Sequence, residues 1–408
     1  MKKLKTIFSP RKLIVWLFIL ILIIAVPELT NPSLSETDAL VSMLCVDLKD
    51  GEYEIAALVL TPGQERVVNT QVYTGSGETL GEAVNNVSIS IGKLMGFAQC
   101  ELIAFGDNLC KESIVPAIDY MTRTKRVGRS AVLVSFEGET SDFASVCSKL
   151  AQEKSLRLDQ IINYDKRYIL AKDSNVDSFY KGYYSEISIG IMPHLKVESE
   201  QKTGAIEVAS SSQSSSGGGE SGGGQTEKKK YLVNDGTTSI FKKGKKEITL
   251  KPEQVVDINL LQDNEQEGVF KVENVTDEIY KNATIVFLLK EKSIKLTPTF
   301  NGETPVFKMD LEVRVLVDEV LEEEPGKEFM RRNREFLTPT AINKFEEELK
   351  SKLMETVSFC KENEVDLIGV YRYFYSLQHN KFKGYLQKEK NYLNGIDFQI
   401  SIEVNSAY

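Results

Sequence analysis

The chain has 408 residues, 41 % hydrophobic and 27 % charged, an ordinary globular composition with room for two or three domains. Its formal net charge of −9 argues against nucleic acid as a partner, because no domain-wide basic field is available to displace phosphate counterions. Five cysteines without a CxxC pair, and two histidines far apart in sequence, His194 and His379, exclude zinc sites of the common Cys/His spacing.

The positive charge gathers at the N-terminus, where Lys2, Lys3, Lys5, Arg11 and Lys12 precede an apolar run from Leu13 to Val26. As a helix this run rises about 21 Å, short of the ~30 Å hydrocarbon core, which by length alone favours a secretory signal. Cleavage needs small residues after the run, but Val26-Pro27-Glu28-Leu29 offers no A-x-A pattern. A lipid-anchored signal needs a cysteine there, and the first is Cys45. We therefore read residues 1–12 as a basic cytoplasmic segment and 13–29 as an uncleaved signal anchor, a single transmembrane helix with everything after it outside. Leu13, Trp16, Phe18, Leu20, Leu22, Ile24 and Val26 contact membrane lipid in this reading; a cleaved signal is the alternative.

After a polar stalk, Ala39–Val46 and Tyr53–Leu60 are predicted strands joined by Lys49-Asp50-Gly51, a hairpin turn. Thr79-Leu80-Gly81-Glu82 fits a capping box, and Leu80, Ala83, Val84, Val87 and Ile91 follow at helical spacing. Glu101–Phe105 is a predicted strand, Ser113–Met121 a helix, Ala131–Phe136 a strand. Helical patterns run through Phe143, Val146, Cys147 and Leu150, and again near Leu158–Ile162. Residues 37–200 are thus an N-terminal mixed α/β region, with one or two subdomains.

Ser210 to Gln225 reads SSSQSSSGGGESGGGQ, too poor in apolar residues to bury a core, and predicts a flexible linker over 201–230. The remainder, 231–408, opens with Thr238–Phe241, a Lys-Gly-Lys turn and Glu247–Leu250. Pro252 suits the first turn of a helix running through Val255–Leu261. Two long strands follow. Thr284–Leu296 alternates at Ile285, Phe287 and Leu289. In Val306–Val317 the residues Phe307, Met309, Leu311, Val313, Val315 and Val317 share one face, and Lys308, Asp310, Glu312 and Arg314 the other, as in an antiparallel sheet with one wet face. Thr340 is placed to cap a long helix with the stripe Ile342, Phe345, Leu349, Leu353, Val357 and Cys360. A second helix begins near Asp366, and Ile396–Val404 closes the chain as a strand. The fold class is α+β: a multi-domain mixed α/β ectodomain whose C-terminal antiparallel sheet packs with long helices, preceded by one N-terminal transmembrane helix.

No catalytic constellation emerges: there is no G-x-S-x-G elbow, Walker loop or HExxH, and no cofactor or metal site is predicted. Buried free thiols are the reading of the cysteines, a Cys100–Cys110 disulfide the alternative. The histidines are read as structural or exposed. Tyr371, Tyr373, Phe374 and Tyr375 form the densest aromatic cluster, read either as core packing or as a partner-facing patch.

The order of features resembles the Ger(x)C family, the C subunits of spore germinant receptors. The resemblance rests on Val46-Asp47 with Lys49-Asp50-Gly51-Glu52-Tyr53, on Gly77-Glu78-Thr79 and its helix followed by Leu102-Ile103-Ala104-Phe105-Gly106, on Arg123 and Arg129 before Ala131–Val134, and on Val365-Asp366-Leu367-Ile368-Gly369. It covers nearly everything from Leu40 to Val404. It implies a three-part mixed α/β ectodomain without enzymatic activity at the spore inner membrane, assembled with an integral-membrane A subunit and a transporter-like B subunit. Asp47, Arg123, Arg129, Asp366 and Gly369 are its motif positions. The chain departs from the family in lacking the lipid-modified cysteine and in carrying the Ser/Gly tether. A surface-binding module for wall polymer or a small ligand is the alternative function.

Overall fold

The computed structural model describes residues 38–62, 68–154, 174–198, 205–206, 230–262, 268–322 and 337–407. The expected transmembrane segment 13–29, the helical pattern at Leu158–Ile162 and the Ser/Gly-rich stretch 210–225 lie outside them. Among the described residues no helix is long and apolar enough to cross a membrane.

Among the described residues the first sheet has eleven strands. It begins with β1 (Asp38–Lys49), β2 (Glu52–Pro62) and β3 (Val68–Gly77), an antiparallel meander. Asp50 and Gly51 both take positive φ, 53° and 88°, the two-residue turn that an Asp-Gly pair makes at little cost. Helix α1 (Leu80–Ile91) is capped by Thr79, whose side chain accepts the Glu82 N–H at 3.1 Å. The Glu82 carboxylate takes the N–H of Glu78, also at 3.1 Å, rather than that of Thr79, so the expected capping box is shifted by one residue. Short β4 (Leu94–Gly96) and β5 (Leu102–Gly106) lie parallel to β1. Helices α2 (Asp107–Glu112) and α3 (Val115–Asp119), the latter running into a wide turn at Tyr120–Thr124, lead to β6 (Val132–Glu137), parallel to β5. After α4 (Thr140–Lys154) and α5 (Val176–Tyr183), β7 (Ile189–Glu198) joins parallel to β6.

Helices cover both faces. Leu80, Ala83, Val84 and Val87 of α1 pack with α2, α3 and α5 on one side, and Phe143, Val146, Cys147 and Leu150 of α4 pack on the other. That explains why β5 is buried along its whole length, as parallel strands covered twice are.

Beyond the tether, β9 (Tyr231–Val233) pairs with β7 and with two-residue β8 (Ala205–Ile206), which falls inside the expected linker. Strands β10 (Thr238–Lys242) and β11 (Lys245–Leu250), which the sequence placed at the start of the second half, extend the first sheet: β10 pairs antiparallel with β7 from Thr238↔Pro193 to Lys242↔Ile189. Helix α6 (Pro252–Leu261) then carries Val255 and Ile258 into a cluster with Ile240 and Leu250 of this sheet and, further along the chain, Cys360, Val365 and Leu367. This apolar seam joins the two sheets.

The second sheet, in the order β12 (Gly268–Val275), β13 (Ala283–Asn301), β14 (Thr304–Leu321) and β15 (Asp397–Ser406), shows the expected alternation. Phe307, Met309, Leu311, Val313, Val315 and Val317 are buried against α7 (Pro339–Glu362), α8 (Val370–Leu377) and α9 (His379–Leu386), while Lys308, Asp310 and Arg314 are exposed. Two expectations need correction. Strand β15 runs parallel to β14, so the sheet is mixed rather than antiparallel; its return after three helices reverses the direction that a hairpin would impose. The cap of α7 is Thr338, which accepts the Ala341 N–H at 3.2 Å, with Pro339 starting the helix; Thr340 is already inside. Within α7, Phe345, Leu349, Leu353, Val357 and Cys360 form the buried stripe, with Ile342 half-buried at its edge.

Candidate functional site

Two of the motif positions are buried carboxylates that hold backbone in place. Asp47 ends the inner part of β1 and receives the Leu109 N–H at 2.8 Å and the Asn108 side-chain amide at 3.3 Å. It thereby satisfies a first-turn donor of α2 that the helix itself cannot. Gly106 makes this possible: a β-carbon there would stand 2.1 Å from Asp47 Cγ. Burial pushes the Asp47 pKa up, against the pull of these hydrogen bonds.

Asp366 does the same for α8. Its Oδ1 accepts from Gly369 N at 2.7 Å and Val370 N at 2.8 Å, and its Oδ2 from Tyr371 N at 2.7 Å and the Tyr392 hydroxyl at 2.8 Å. Burial and this carboxylate raise the Tyr392 pKa strongly, which keeps the phenol a donor. Gly369 sits at φ +84°, a left-handed conformation that other residues resist. The Asp-x-x-Gly segment is a helix start.

Arg123 and Arg129 are exposed and pair with Asp119 at 3.1 Å and Asp177 at 3.9 Å. Lys181 first, and then Arg129, hold the Asp177 pKa down. Such surface pairs contribute little stability and leave both guanidinium groups accessible.

The aromatic cluster divides. Phe374 is buried against Phe382 and Phe307, and Tyr373 lies half-buried beside Phe307. Tyr371 stacks on Tyr375 with centroids 5.6 Å apart and meets Tyr392 edge-on. Tyr375 is 46 % exposed and nearby Leu377 63 %, so one end of α8 presents apolar surface to solvent. The seven anchor residues from Leu13 to Val26 lie outside the described residues. All five cysteines are buried and free, and no Cys100–Cys110 bridge forms; burial raises their pKa values, Cys100 and Cys147 to about 12, which makes them inert thiols.

A polar group that the sequence did not single out lies near the carboxyl ends of β5 and β6. His194 of β7 is 3 % exposed, and its Nδ1 lies 3.0 Å from Ser135 Oγ of β6. Ser135 bonds in turn to Ser239 of β10 at 2.8 Å. Lys246 of β11 pairs with Asp107, the first residue of α2, at 2.7 Å. Burial, with Lys246 nearby, pushes the His194 pKa down to about 4, so the imidazole is neutral. These residues are scattered from 107 to 246, and no local spacing announces them.

Comparison with known proteins agrees with this architecture. The family described as spore germination protein N-terminal domain matches residues 35–197, and that described as spore germination B3/GerAC-like, C-terminal, matches residues 236–407. No curated protein matches. The crystal structure of the GerBC protein is similar in fold, with a TM-score of 0.52 and 14 % sequence identity over 90 % of this chain and 97 % of that one. With both family domains matched in order, on the same residues that build the two capped helices, the chain belongs to the Ger(x)C family of spore germination proteins.

Proposed function

We propose that the protein is the C-type subunit of a spore nutrient-germinant receptor, anchored in the spore inner membrane by residues 13–29, and that it works by binding rather than by catalysis. The observation that carries this reading is the pair of family matches covering 35–197 and 236–407. Its partners in this reading are an integral-membrane A-type subunit and a transporter-like B-type subunit. Capping roles for Asp47 and Asp366 fit an assembly protein, since both carboxylates serve the backbone and neither is aimed at a substrate. The end of α8 with Tyr375 and Leu377 is the surface we assign to partner contact, because exposed aromatic and aliphatic groups release water on burial.

Mild crosslinking of native spore membranes followed by detergent extraction tests this. The expected outcome is co-purification with polytopic partners, reduced at least several-fold by the double substitution Tyr375→Ala, Leu377→Ala. Recovery of a lone chain under those conditions refutes the assembly. The intact mass of the membrane-extracted protein tests the anchor separately: a chain trimmed just after Pro27 would remove it.

A further inference from the structure

Strands β1, β5, β6 and β7 are parallel, so their carboxyl ends gather at one edge of the sheet, the usual place for ligands in open α/β architectures. Three side chains able to ligate a metal meet there from three different strands: Asp107 just after β5, Glu137 at the end of β6, and His194 in the middle of β7, level with the end of β6. One ligand atom from each lies within 4.8 Å of the other two.

The hydrogen bonds around His194 accommodate the tautomer that leaves Nε2 open. The Ser135 hydroxyl has one proton; with it directed to Ser239 Oγ at 2.8 Å or to the Pro193 carbonyl at 3.3 Å, the Ser135 oxygen accepts from the His194 Nδ1–H. In that arrangement the lone pair belongs to Nε2, which has no hydrogen bond among the described residues. An imidazole whose far nitrogen donates to a fixed oxygen is the arrangement that orients metal-bound histidines. Donors at zinc distances around a tetrahedral ion stand about 3.4 Å apart, so closing the set requires only small side-chain movements. Glu137 is exposed and Asp107 half-buried, and both have room to make them.

A cation already occupies the neighbourhood. The Lys246 ammonium, only 14 % exposed, neutralises Asp107. Lys246 comes from the segment matched by the C-terminal family description, and the three ligating residues come from the segment matched by the N-terminal one. We propose that Asp107, Glu137 and His194 form a divalent transition-metal site, zinc-like in its donor set, which binds its ion in exchange for the Lys246 ammonium group. Metal occupancy then releases the tie between β11 and α2. The inference does not depend on the receptor role.

The test is titration of Zn²⁺ into the full chain in detergent, free of any histidine tag and stripped with chelator, against a chromophoric competitor. One equivalent is expected to bind. Glu137→Gln, a safe change because the residue is exposed, and His194→Gln should each weaken binding at least tenfold, Ser135→Ala should weaken it less, and Lys246→Gln should tighten it. Absence of stoichiometric binding, or binding indifferent to Glu137→Gln and His194→Gln, overturns the site. Equal affinity in the wild type and Lys246→Gln overturns the exchange.

Discussion

Gly106 and Gly369 are both motif residues, yet they are required for opposite reasons. At Gly106 a β-carbon would meet the Asp47 carboxyl at 2.1–2.5 Å, and Asp47 cannot retreat without giving up the Leu109 N–H. At Gly369 nothing lies within 4 Å and the only obstacle is φ +84°. Gly106→Ala should therefore cost about 3 kcal/mol or more through overpacking and a lost cap, and Gly369→Ala about 1 kcal/mol through backbone strain. Chemical denaturation of both variants checks this, and the reverse ranking would contradict the close approach. The sequence made Asp47, Asp366 and Gly369 visible as motif positions but did not say what they do, because a capped donor lies on another element or several residues away. Nor did it single out His194 beyond reading it as structural or exposed, since the groups around it converge only when four strands are laid side by side.

Among the elements, α6 illustrates an electrostatic cost in the apolar seam. Asp257 faces α7, accepts a hydrogen bond from the Thr356 hydroxyl at 3.2 Å, and is pushed up to about 6 by burial, from an ordinary value of 3.8. Because the folded state binds this proton more tightly than the unfolded chain, the group's contribution falls as pH rises from about 4 to about 6. The full penalty at neutral pH is on the order of 2–3 kcal/mol. Asp257→Asn should stabilise the protein by up to that amount at pH 7.5, with the gain fading towards pH 4. A gain that instead grew as pH fell would refute the assignment. Elements with strong periodicity, such as β14 and α7, were legible from sequence alone. Six strands were not. Asn69, Gln71, Thr74 and Ser76 dilute β3, Pro193 and His194 interrupt β7, Glu273 and Asn274 interrupt β12, and β4, β8 and β9 are only two or three residues long. The direction of β15 was also invisible, because a period of two is the same whichever way a strand runs.

For the molecule as a whole, the chain segments before and after the tether are joined by strand pairing within the first sheet, and the two sheets by side-chain hydrogen bonds beside the apolar seam. Strands β9 and β10 lie on β7, Lys242 Nζ donates to the Asn363 carbonyl at 3.1 Å, and Gln262 Nε2 to that of Leu367 at 2.6 Å. A protease site inserted within residues 210–225 and then cut should leave fragments that co-elute in size exclusion and melt together, because the contacts holding them are not in the cleaved stretch. Fragments that separate without denaturant would show that the seam is too weak to hold them. Composition had suggested two halves whose mutual placement was open, since a Ser/Gly run marks a break in the chain and carries no information about which edges meet across it.

The parallel docking of β15 on β14 also sets an order of events during synthesis. Residues 322–396 must be made and arranged before Asp397–Ser406 can cover the outer edge of an eighteen-residue strand. Until then the nascent chain exposes a long row of unsatisfied amides and carbonyls, a surface that recruits other strands. A ribosome stalled or a message truncated inside the last helices would therefore yield an aggregation-prone species rather than a slightly shortened subunit.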